Sequence, residues 1–345
     1  MTIHARLDHV GIVMMSAVGD AVHVLPVLHA LKRHHPATRV SWVLQPGPAT
    51  LVRGHPLVDD IIEFDRTQGW RAFRDVRRAL RERPVMNLVL GLQVYFKAGI
   101  VTSFTRAPIK LGFDRARARD ANWLFTTHRI PPHPVGQHVQ DQYFEFLHAL
   151  GIATEPPTWN LGPWDDERPW QREFVASVGR PYAALVIATS KAEKDWLPER
   201  WARVCDALWS DFGLQPVLVG GRSPRELAAE AAIMAAASHR PISALGSGLR
   251  RLVAILDGAQ LAIAPDTGPL HMAVALDRPV ISLIGYTNPK RTGPYRRFHD
   301  LIVDAYGEPG EDYPISMENR PGRMPHISVE QVLARVQHWR EHYAR

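Results

Sequence analysis

The clearest chemical signal in the sequence is a hexapeptide that directly follows an apolar run: Asp266, Thr267, Gly268, Pro269, Leu270 and His271. The apolar residues 261–264 predict a buried strand, and residues 269–275 predict a helix. Backbone amides and the threonine hydroxyl would then lie at the positive end of a helix dipole, where anions such as a diphosphate bind. A helix cap without a ligand explains the same residues about equally well.

Two smaller groups of polar residues also follow predicted strands, where parallel sheets place their ligands. Asp20 opens a helical pattern after apolar residues 10–15, so its carboxylate can be a general base or simply a partner of the helix dipole. Thr189, Ser190 and Lys194 follow the apolar run that begins the second half. Their hydroxyls and ammonium suit a departing diphosphate, whereas a solvated lysine is the commoner outcome.

A fourth group is basic and lies in the first half of the chain: Lys97, Arg115, Arg117 and Arg119. Residues 1–165 hold 19 Lys and Arg against 14 Asp and Glu, which is most of the net charge of +6. Such side chains can bind phosphates and carboxylates of an acidic ligand, although a solvated surface explains any single one of them. Because no helix-turn-helix, zinc-finger or RNP signature accompanies them, nucleic acid is the weakest candidate partner.

Strands and helices alternate along the whole chain and must position these residues. Strand-like runs occur at residues 10–15, 40–44, 61–64, 88–90, 182–188, 216–219, 261–264 and 279–284. Helical patterns occur at residues 20–34, 70–83, 198–212, 223–237, 249–256, 269–275 and 329–343. This alternation predicts an α/β fold with mostly parallel sheets.

The length of 345 residues favours two domains over one. Proline and tryptophan crowd residues 156–170, where we place the linker, and residues 111–136 predict a mobile loop that carries short elements. The predicted division is a Rossmann-like domain at residues 1–165, a second one at residues 166–325, and a last helix at residues 326–345.

Composition excludes several classes of protein and site. The single cysteine, Cys205, permits neither an internal disulfide nor a multi-cysteine zinc site. The histidines lack metal-ligand spacing and no Asp-x-Asp occurs, so we expect no metal and no cofactor. The start lacks the pattern of a secretory signal, and no run of about 18 apolar residues occurs. We therefore expect a cytoplasmic protein.

Three segments together resemble one known family. The pattern Asp-Thr-Gly-x-x-His before an alanine-rich helix is similar to the signature of the ADP-heptose:lipopolysaccharide heptosyltransferases, glycosyltransferase family 9. Residues 19–26, Gly-Asp-Ala-Val-His-Val-Leu-Pro, resemble that family's Gly-Asp-x-(Leu/Val)-x-x-x-Pro segment, and residues 189–198 look like its donor-phosphate loop. The order and spacing of these segments match over nearly the whole chain.

The resemblance implies a GT-B architecture, with two Rossmann-like domains facing a central cleft and the last helix packed back on the first domain. Asp20 would deprotonate the acceptor hydroxyl, while Lys194 and the polar residues of both second-domain loops would bind the diphosphate of ADP-heptose. Gly19 and the basic group would bind an anionic lipopolysaccharide-core acceptor at the inner face of the inner membrane. The family's nucleoside-binding Glu does not align cleanly, so Arg222, Ser223 and Glu226 are all candidates, and a capping box also explains the last two.

We therefore predict inverting, metal-independent heptose transfer to the lipopolysaccharide inner core. Three alternatives stay open at this point. A family 9 transferase with another donor or acceptor is the nearest, and a GT-B-like sugar-nucleotide epimerase would turn over without any acceptor. The third alternative is a noncatalytic nucleotide-sugar binding protein, in which replacing Asp20 would change neither turnover nor the affinity for the ligand.

Overall fold

A computed structural model describes residues 2–133 and 136–344 of the chain. These residues form two compact units, Met1–Trp159 and Asn160–Arg345. The division lies six residues before the predicted boundary at residue 165, within the proline-rich segment taken as the linker.

The first unit is a parallel sheet of six strands, counted over the described residues, in the order β3-β2-β1-β4-β5-β6. Its strands are β1 (His9–Val13), β2 (Arg39–Leu44), β3 (Asp60–Glu63), β4 (Leu88–Gly91), β5 (Ile109–Gly112) and β6 (His128–Arg129). Its helices are α1 (Val18–His34), α2 (Pro46–Val52), α3 (Trp70–Glu82), α4 (Phe96–Phe104) and α5 (Val139–Ala149), with short 3-10 turns at Arg66–Gln68 and Asn122–Phe125. The central strand β1 pairs with β2 and β4, so the loop that follows it lies mid-sheet.

The second unit repeats this plan, with the strand order β12-β11-β10-β7-β8-β9 over the described residues. Its strands are β7 (Tyr182–Val186), β8 (Gln215–Val219), β9 (Ile242–Ser243), β10 (Leu261–Pro265), β11 (Val280–Ile284) and β12 (Ile302–Asp304). Its helices are α6 (Arg168–Val178), α7 (Pro198–Ser210), α8 (Pro224–Ala236), α9 (Leu249–Gly258), α10 (Gly268–Ala275), α11 (Pro289–Thr292) and α12 (Val329–His342), with 3-10 turns at Ala192–Lys194, His299–Leu301 and Met324–His326. The neighbouring parallel strands β7 and β10 carry the two predicted diphosphate loops at their carboxyl ends.

The hydrophobic pattern explains how the helices are oriented. In α3, Ala72, Val76 and Leu80 recur at helical spacing and are buried in one core cluster with residues of β1, β2, β3 and β4. All five residues of β1 are buried, as expected for a strand that helices cover on both faces. The α/β fold predicted from the alternating pattern is confirmed.

Several elements escape the sequence pattern. The predicted loop at residues 111–136 contains β6 and a 3-10 turn, and its residues Pro134 and Val135 lie outside the described part of the chain. Helix α6 begins inside the proline-rich segment, because Pro169 is tolerated in the first turn of a helix. The last helix, α12, packs on α7, β11 and β12 of the second unit. The predicted packing of residues 326–345 back on the first domain stays a prediction.

Within the residues that the structure describes, no helix combines the length and the apolar character needed to cross a bilayer.

Candidate active site

In the first unit, hydrogen bonds from Ala17 and Tyr143 hold the carboxylate of Asp20. Asp20 is the third residue of α1, and its Oδ2 accepts from the backbone N–H of Ala17 over 2.7 Å. The hydroxyl of Tyr143, a buried residue of α5, donates to Oδ1 over 2.9 Å. These bonds fix the direction of the carboxylate, and Asp20 as a residue is half-buried.

The loop between β1 and α1 is tied to the residues that follow β4. The side chain of Gln93 accepts from the N–H of Met15 over 3.0 Å and donates to the carbonyl of Ser16 over 2.5 Å. On the other side, His23 of α1 and Gln140 of α5 exchange two hydrogen bonds, of 3.0 and 2.9 Å. These contacts hold α1 in one position relative to β4 and α5, so the start of α1, which carries Gly19 and Asp20, is firmly placed.

The four basic residues predicted to bind an acceptor have different environments in the structure. Lys97, in the first turn of α4, is exposed, as are Arg115 and Arg119. The guanidinium of Arg115 lies over the ring of Trp123, 4.3 Å from its centroid.

Arg117 has a different environment, and its prediction as an acceptor-binding residue is not supported. Its side chain is only 6% exposed, and it donates to Asp114, to both carboxylate oxygens of Glu145 over 2.7 Å and to the carbonyl of Pro131. Burial lowers the pKa of Arg117, but the two carboxylates outweigh burial and leave this pKa raised. Arg117 is therefore paired with carboxylates inside the first unit, and its guanidinium does not face solvent.

In the second unit, the structure brings Lys194 and Asp266 together from two different loops. The ammonium of Lys194 donates to Oδ2 of Asp266 over 2.8 Å and to its backbone carbonyl over 3.1 Å. These bonds use two of the three N–H donors of the ammonium. Lys194 follows β7 and Asp266 follows β10, so the pairing of these strands at the centre of the sheet places the two residues side by side.

Asp266 is the most densely contacted carboxylate of this group. Besides Lys194, it accepts from the hydroxyls of Thr287 over 2.5 Å and Thr292 over 3.3 Å, and Nε2 of His271 lies 3.6 Å from its Oδ1. Burial alone would raise the pKa of Asp266, but His271 and Lys194 hold it well below its ordinary value of 3.8. An ionised, buried carboxylate repels phosphate, so Asp266 is suited to positioning Lys194 rather than to binding a diphosphate itself.

Helix α10 begins beside this pair. Thr267 is the N-cap in extended conformation, and its hydroxyl makes no capping bond to the helix. Gly268 and Pro269 are half-buried, and the N–H of Leu270 bonds back to the carbonyl of Thr267. The threonine hydroxyl and the Gly268 amide are therefore the donors at this helix start that suit an anion.

The loop after β7 is shaped by residues that the sequence analysis did not single out. The hydroxyl of Thr189 donates to the carbonyl of Lys191 over 2.6 Å, so it organises the loop, while Ser190 is exposed. Asp195 accepts from the N–H of Thr189 over 2.7 Å and pairs with Arg225 over 2.7 Å. Burial raises the pKa of Asp195 despite these partners.

The three candidates for contact with the nucleoside have different environments. The carboxylate of Glu226 accepts from the N–H of Gly221 over 2.6 Å and of Ser223 over 2.8 Å, and the hydroxyl of Ser223 accepts from the N–H of Glu226. Ser223 and Glu226 therefore form the predicted capping box of α8. Burial raises the pKa of Glu226, but these hydrogen bonds outweigh it and leave the pKa lowered. Arg222 is exposed, and its side chain lies across Gly246.

Besides Asp195, Arg225 and Thr292, the supporting residues absent from the sequence-based site include Tyr143, Gln93 and Thr287. Tyr143 and Thr287 contact the predicted residues Asp20 and Asp266 directly, whereas Gln93 holds the loop that leads to Asp20. Gln93 and Thr287 carried a usable signal, because a polar residue just after a buried strand lies at the ligand edge of a parallel sheet. Across the described ranges, no group of three or more His, Cys, Asp or Glu side chains is placed to hold a metal ion.

Comparison with known proteins gives consistent matches. A family model described as glycosyltransferase family 9 (heptosyltransferase) matches residues 73–312. The lipopolysaccharide core heptosyltransferase OpsX of Haemophilus influenzae is 29% identical over 335 residues, covering 94% of this chain and 95% of that protein. A glycosyl transferase family 9 structure from Veillonella parvula superposes with a TM-score of 0.82 at 21% identity, covering 98% of both chains. The E. coli heptosyltransferase WaaC with ADP-2-deoxy-2-fluoro heptose gives 0.72 at 22% identity, over 96% of this chain and 99% of that one. The fold is thus that of the GT-B heptosyltransferases.

Proposed function

The chain belongs to glycosyltransferase family 9, the heptosyltransferases, and on this premise we propose that it transfers a heptose from ADP-heptose to an anionic acceptor of the lipopolysaccharide inner core. The observation that carries the proposal is the ammonium of Lys194, fixed by Asp266 beside the start of α10. A fixed cation next to a helix N-terminus suits the diphosphate of a nucleotide sugar. The name of the Haemophilus relative supports the lipopolysaccharide core as the destination.

Asp20 is the base of the proposed reaction. Its carboxylate takes the proton of the acceptor hydroxyl as the hydroxyl oxygen attacks the anomeric carbon of the heptose. The bond between that carbon and the diphosphate oxygen breaks as the new glycosidic bond forms, so the sugar inverts and ADP leaves with the bonding electrons. The hydrogen bonds from Ala17 and Tyr143 keep the carboxylate aimed at one direction.

In this proposal, groups of the protein stabilise the negative charge that develops on the departing ADP. Lys194, the hydroxyl of Thr267 and the amide of Gly268 supply donors that are already in place before the reaction, which is how such sites stabilise a transition state. Ser190, which is exposed in the adjacent loop, adds a further hydroxyl. The sequence has no Asp-x-Asp motif of the kind that holds a metal on a diphosphate, which supports metal-independent transfer.

In this proposal, the first unit binds the acceptor and the second unit binds the donor. The exposed Lys97, Arg115 and Arg119 would bind the anionic acceptor, and Arg222 is the favoured contact for the donor nucleoside because capping occupies Glu226. We place the enzyme in the cytoplasm, at the inner face of the inner membrane where such an acceptor is anchored. Water must be excluded from the bound donor during the reaction, because hydrolysis of ADP-heptose would compete with transfer.

The test is ADP release from ADP-heptose, measured with and without a heptose-deficient lipopolysaccharide acceptor and with a metal chelator. We expect release that depends on acceptor, resists the chelator and yields an acceptor that is one heptose heavier, with inverted anomeric configuration by NMR. Turnover of the donor without acceptor would favour an epimerase. Binding without turnover would favour a nucleotide-sugar binding protein, and turnover of a different sugar nucleotide would favour a family member with another donor.

A further inference from the structure

Helix α3 carries a dense row of arginines on its outer face, which we call the arginine face: Arg71, Arg74, Arg77, Arg78 and Arg81. All five are exposed. At 3.6 residues per turn they project within an arc of about 120°, and Trp70 falls in the same arc. The buried residues of α3 project on the opposite side, so the helix has one apolar face in the core and one cationic face in solvent.

The positive charge of this face is only partly balanced. Residues 66–83 hold seven arginines against two acids, Asp75 and Glu82, an excess as large as that of residues 1–165 as a whole. The carboxylate of Asp75 lies 3.3 Å from Arg74 and 3.4 Å from Arg78, so a single acid is shared between two guanidinium groups. The side chains of these two arginines are still 69% and 66% exposed.

An exposed tryptophan, Trp70, lies at the start of the arginine face. It is the first residue of α3 and is 84% exposed, the highest value among the exposed large hydrophobic side chains of the described residues. The centroid of its ring lies 5.8 Å from that of Phe73, with the two rings tilted by 49°. Exposed arginines are attracted to anionic lipid head groups, and an exposed indole favours the head-group region of a membrane.

We propose that the arginine face and Trp70 form a docking surface for a membrane of anionic lipid. Lipid is chosen as the partner because its negative charge complements the arginines and because it gives a role to the exposed indole. The choice also rests on the proposed function, whose acceptor is anchored in a membrane. Nucleic acid would also be attracted by the arginines, but it gives no role to a single indole at the end of the row.

The location of α3 within its unit fits this role. The helix begins after the carboxyl end of β3, and in a parallel sheet that is the edge at which Asp20, after β1, and Lys97, after β4, also lie. A membrane in contact with the start of α3 would therefore be on the side of the unit that presents the proposed base. An acceptor that stays anchored in lipid could then reach Asp20 without leaving the bilayer surface.

The proposal is tested by co-sedimentation of the full chain with vesicles. The probes are vesicles of phosphatidylcholine alone and vesicles that mix it with phosphatidylglycerol in equal parts. Wild type is expected to bind the mixed vesicles and to be released by salt. The variant R71Q/R81Q should bind about twenty-fivefold more weakly, because each arginine near an anionic surface contributes about fivefold. W70A should also weaken binding.

The matched control removes the same charge elsewhere. R172Q/R240Q replaces two exposed arginines of the second unit and should leave vesicle binding within about twofold of wild type, since these residues are outside the docking surface. Transfer to a delipidated acceptor in solution should be equal in R71Q/R81Q and wild type, whereas transfer to acceptor embedded in the mixed vesicles should fall.

Equal loss of vesicle binding in R71Q/R81Q and R172Q/R240Q would overturn the docking surface and leave only a general charge effect. Binding to duplex DNA or RNA without binding to the mixed vesicles would overturn it in favour of nucleic acid. Failure of the proposed function is distinguishable, because vesicle binding that depends on Arg71 and Arg81 in a chain without heptose transfer would sustain the docking surface and refute only the transferase.

Discussion

The hydroxyl of Tyr143 donates to Oδ1 of Asp20 over 2.9 Å, although 123 residues separate the two in sequence. The contact joins the start of α1 to α5 and gives the proposed base a fixed orientation. Asp20 therefore depends on a helix that no motif of the sequence marks.

Replacing Tyr143 with Phe removes this hydrogen bond and leaves the ring in place. We expect kcat for heptose transfer to fall by about tenfold, the equivalent of one hydrogen bond to a charged group, with little change in KM for either substrate. The control is Y182F, which removes the bond from another buried tyrosine to the carbonyl of Ile255 in the second unit. Equal losses of kcat in both variants would show a general effect of destabilisation instead of positioning.

The pair of Lys194 and Asp266 should appear in the pH dependence of stability. Replacing Asp266 with Ala leaves a partly buried ammonium without its carboxylate, and we expect the free energy of unfolding to fall by about 3 kcal/mol at neutral pH. Because the pKa of Asp266 is lowered in the folded chain, its stabilisation is complete above the ordinary value of 3.8 and is lost as the pH falls below it.

Urea denaturation at a series of pH values checks this expectation. The difference between wild type and D266A should stay constant from neutral pH down to about pH 4 and shrink below it. The double variant K194M/D266A should regain part of the loss, because it removes the unpaired ammonium as well. A difference that already shrinks between neutral pH and about pH 5 would mean that another group controls the stability of this region.

Arg115 and Arg117 should respond in opposite ways to the same substitution. R117Q leaves Asp114 and Glu145 without their shared cation, so we expect a loss of about 3 kcal/mol in stability and an unchanged KM for the acceptor in the folded fraction. R115Q, on the exposed side, should leave stability unchanged and raise the acceptor KM by about tenfold, the equivalent of one charge-assisted hydrogen bond. Thermal denaturation and steady-state kinetics of both variants would refute the assignment if their effects were reversed.

The contacts at the start of α8 predict that Ser223 and Glu226 act on stability rather than on the donor. S223A should lower the free energy of unfolding by about 1 kcal/mol through loss of the cap. E226Q keeps one acceptor oxygen for the capping box and should leave the donor KM within about twofold of wild type. A large rise in donor KM for E226Q alone would assign Glu226 to the donor nucleoside.

The sequence predicts the regular parts of this fold well because buried parallel strands leave continuous apolar runs, as in β1, β7 and β10. The same physics fails for β6, which has only two residues, both exposed, and for α5, whose start is hidden behind prolines and histidines. Local motifs likewise identified the loops that carry Asp20, Lys194 and Thr267.

What local sequence could not reveal is which polar residues satisfy one another. Arg115, Arg117 and Arg119 alternate in one segment and look equivalent as a pattern, yet Arg117 is buried against two carboxylates, one of them 28 residues away. The sequence alone predicts that Asp266 binds a ligand, whereas in the structure its carboxylate accepts hydrogen bonds from Thr287 and Thr292. Such roles depend on tertiary contacts, and these are not encoded in spacing along the chain.

The central claim is that Asp20 is the base of heptose transfer, and one comparison tests it most directly. Heptose transfer from ADP-heptose is measured for wild type, D20N and D65N, together with the affinity of each for ADP. Asp65 is the matched control, because it is also a first-unit aspartate that follows a strand and accepts from a helix-start N–H, that of Thr67. We expect D20N to lose about a thousandfold in transfer rate with unchanged ADP affinity, and D65N to keep its rate. A rate in D20N within about tenfold of wild type would contradict the account.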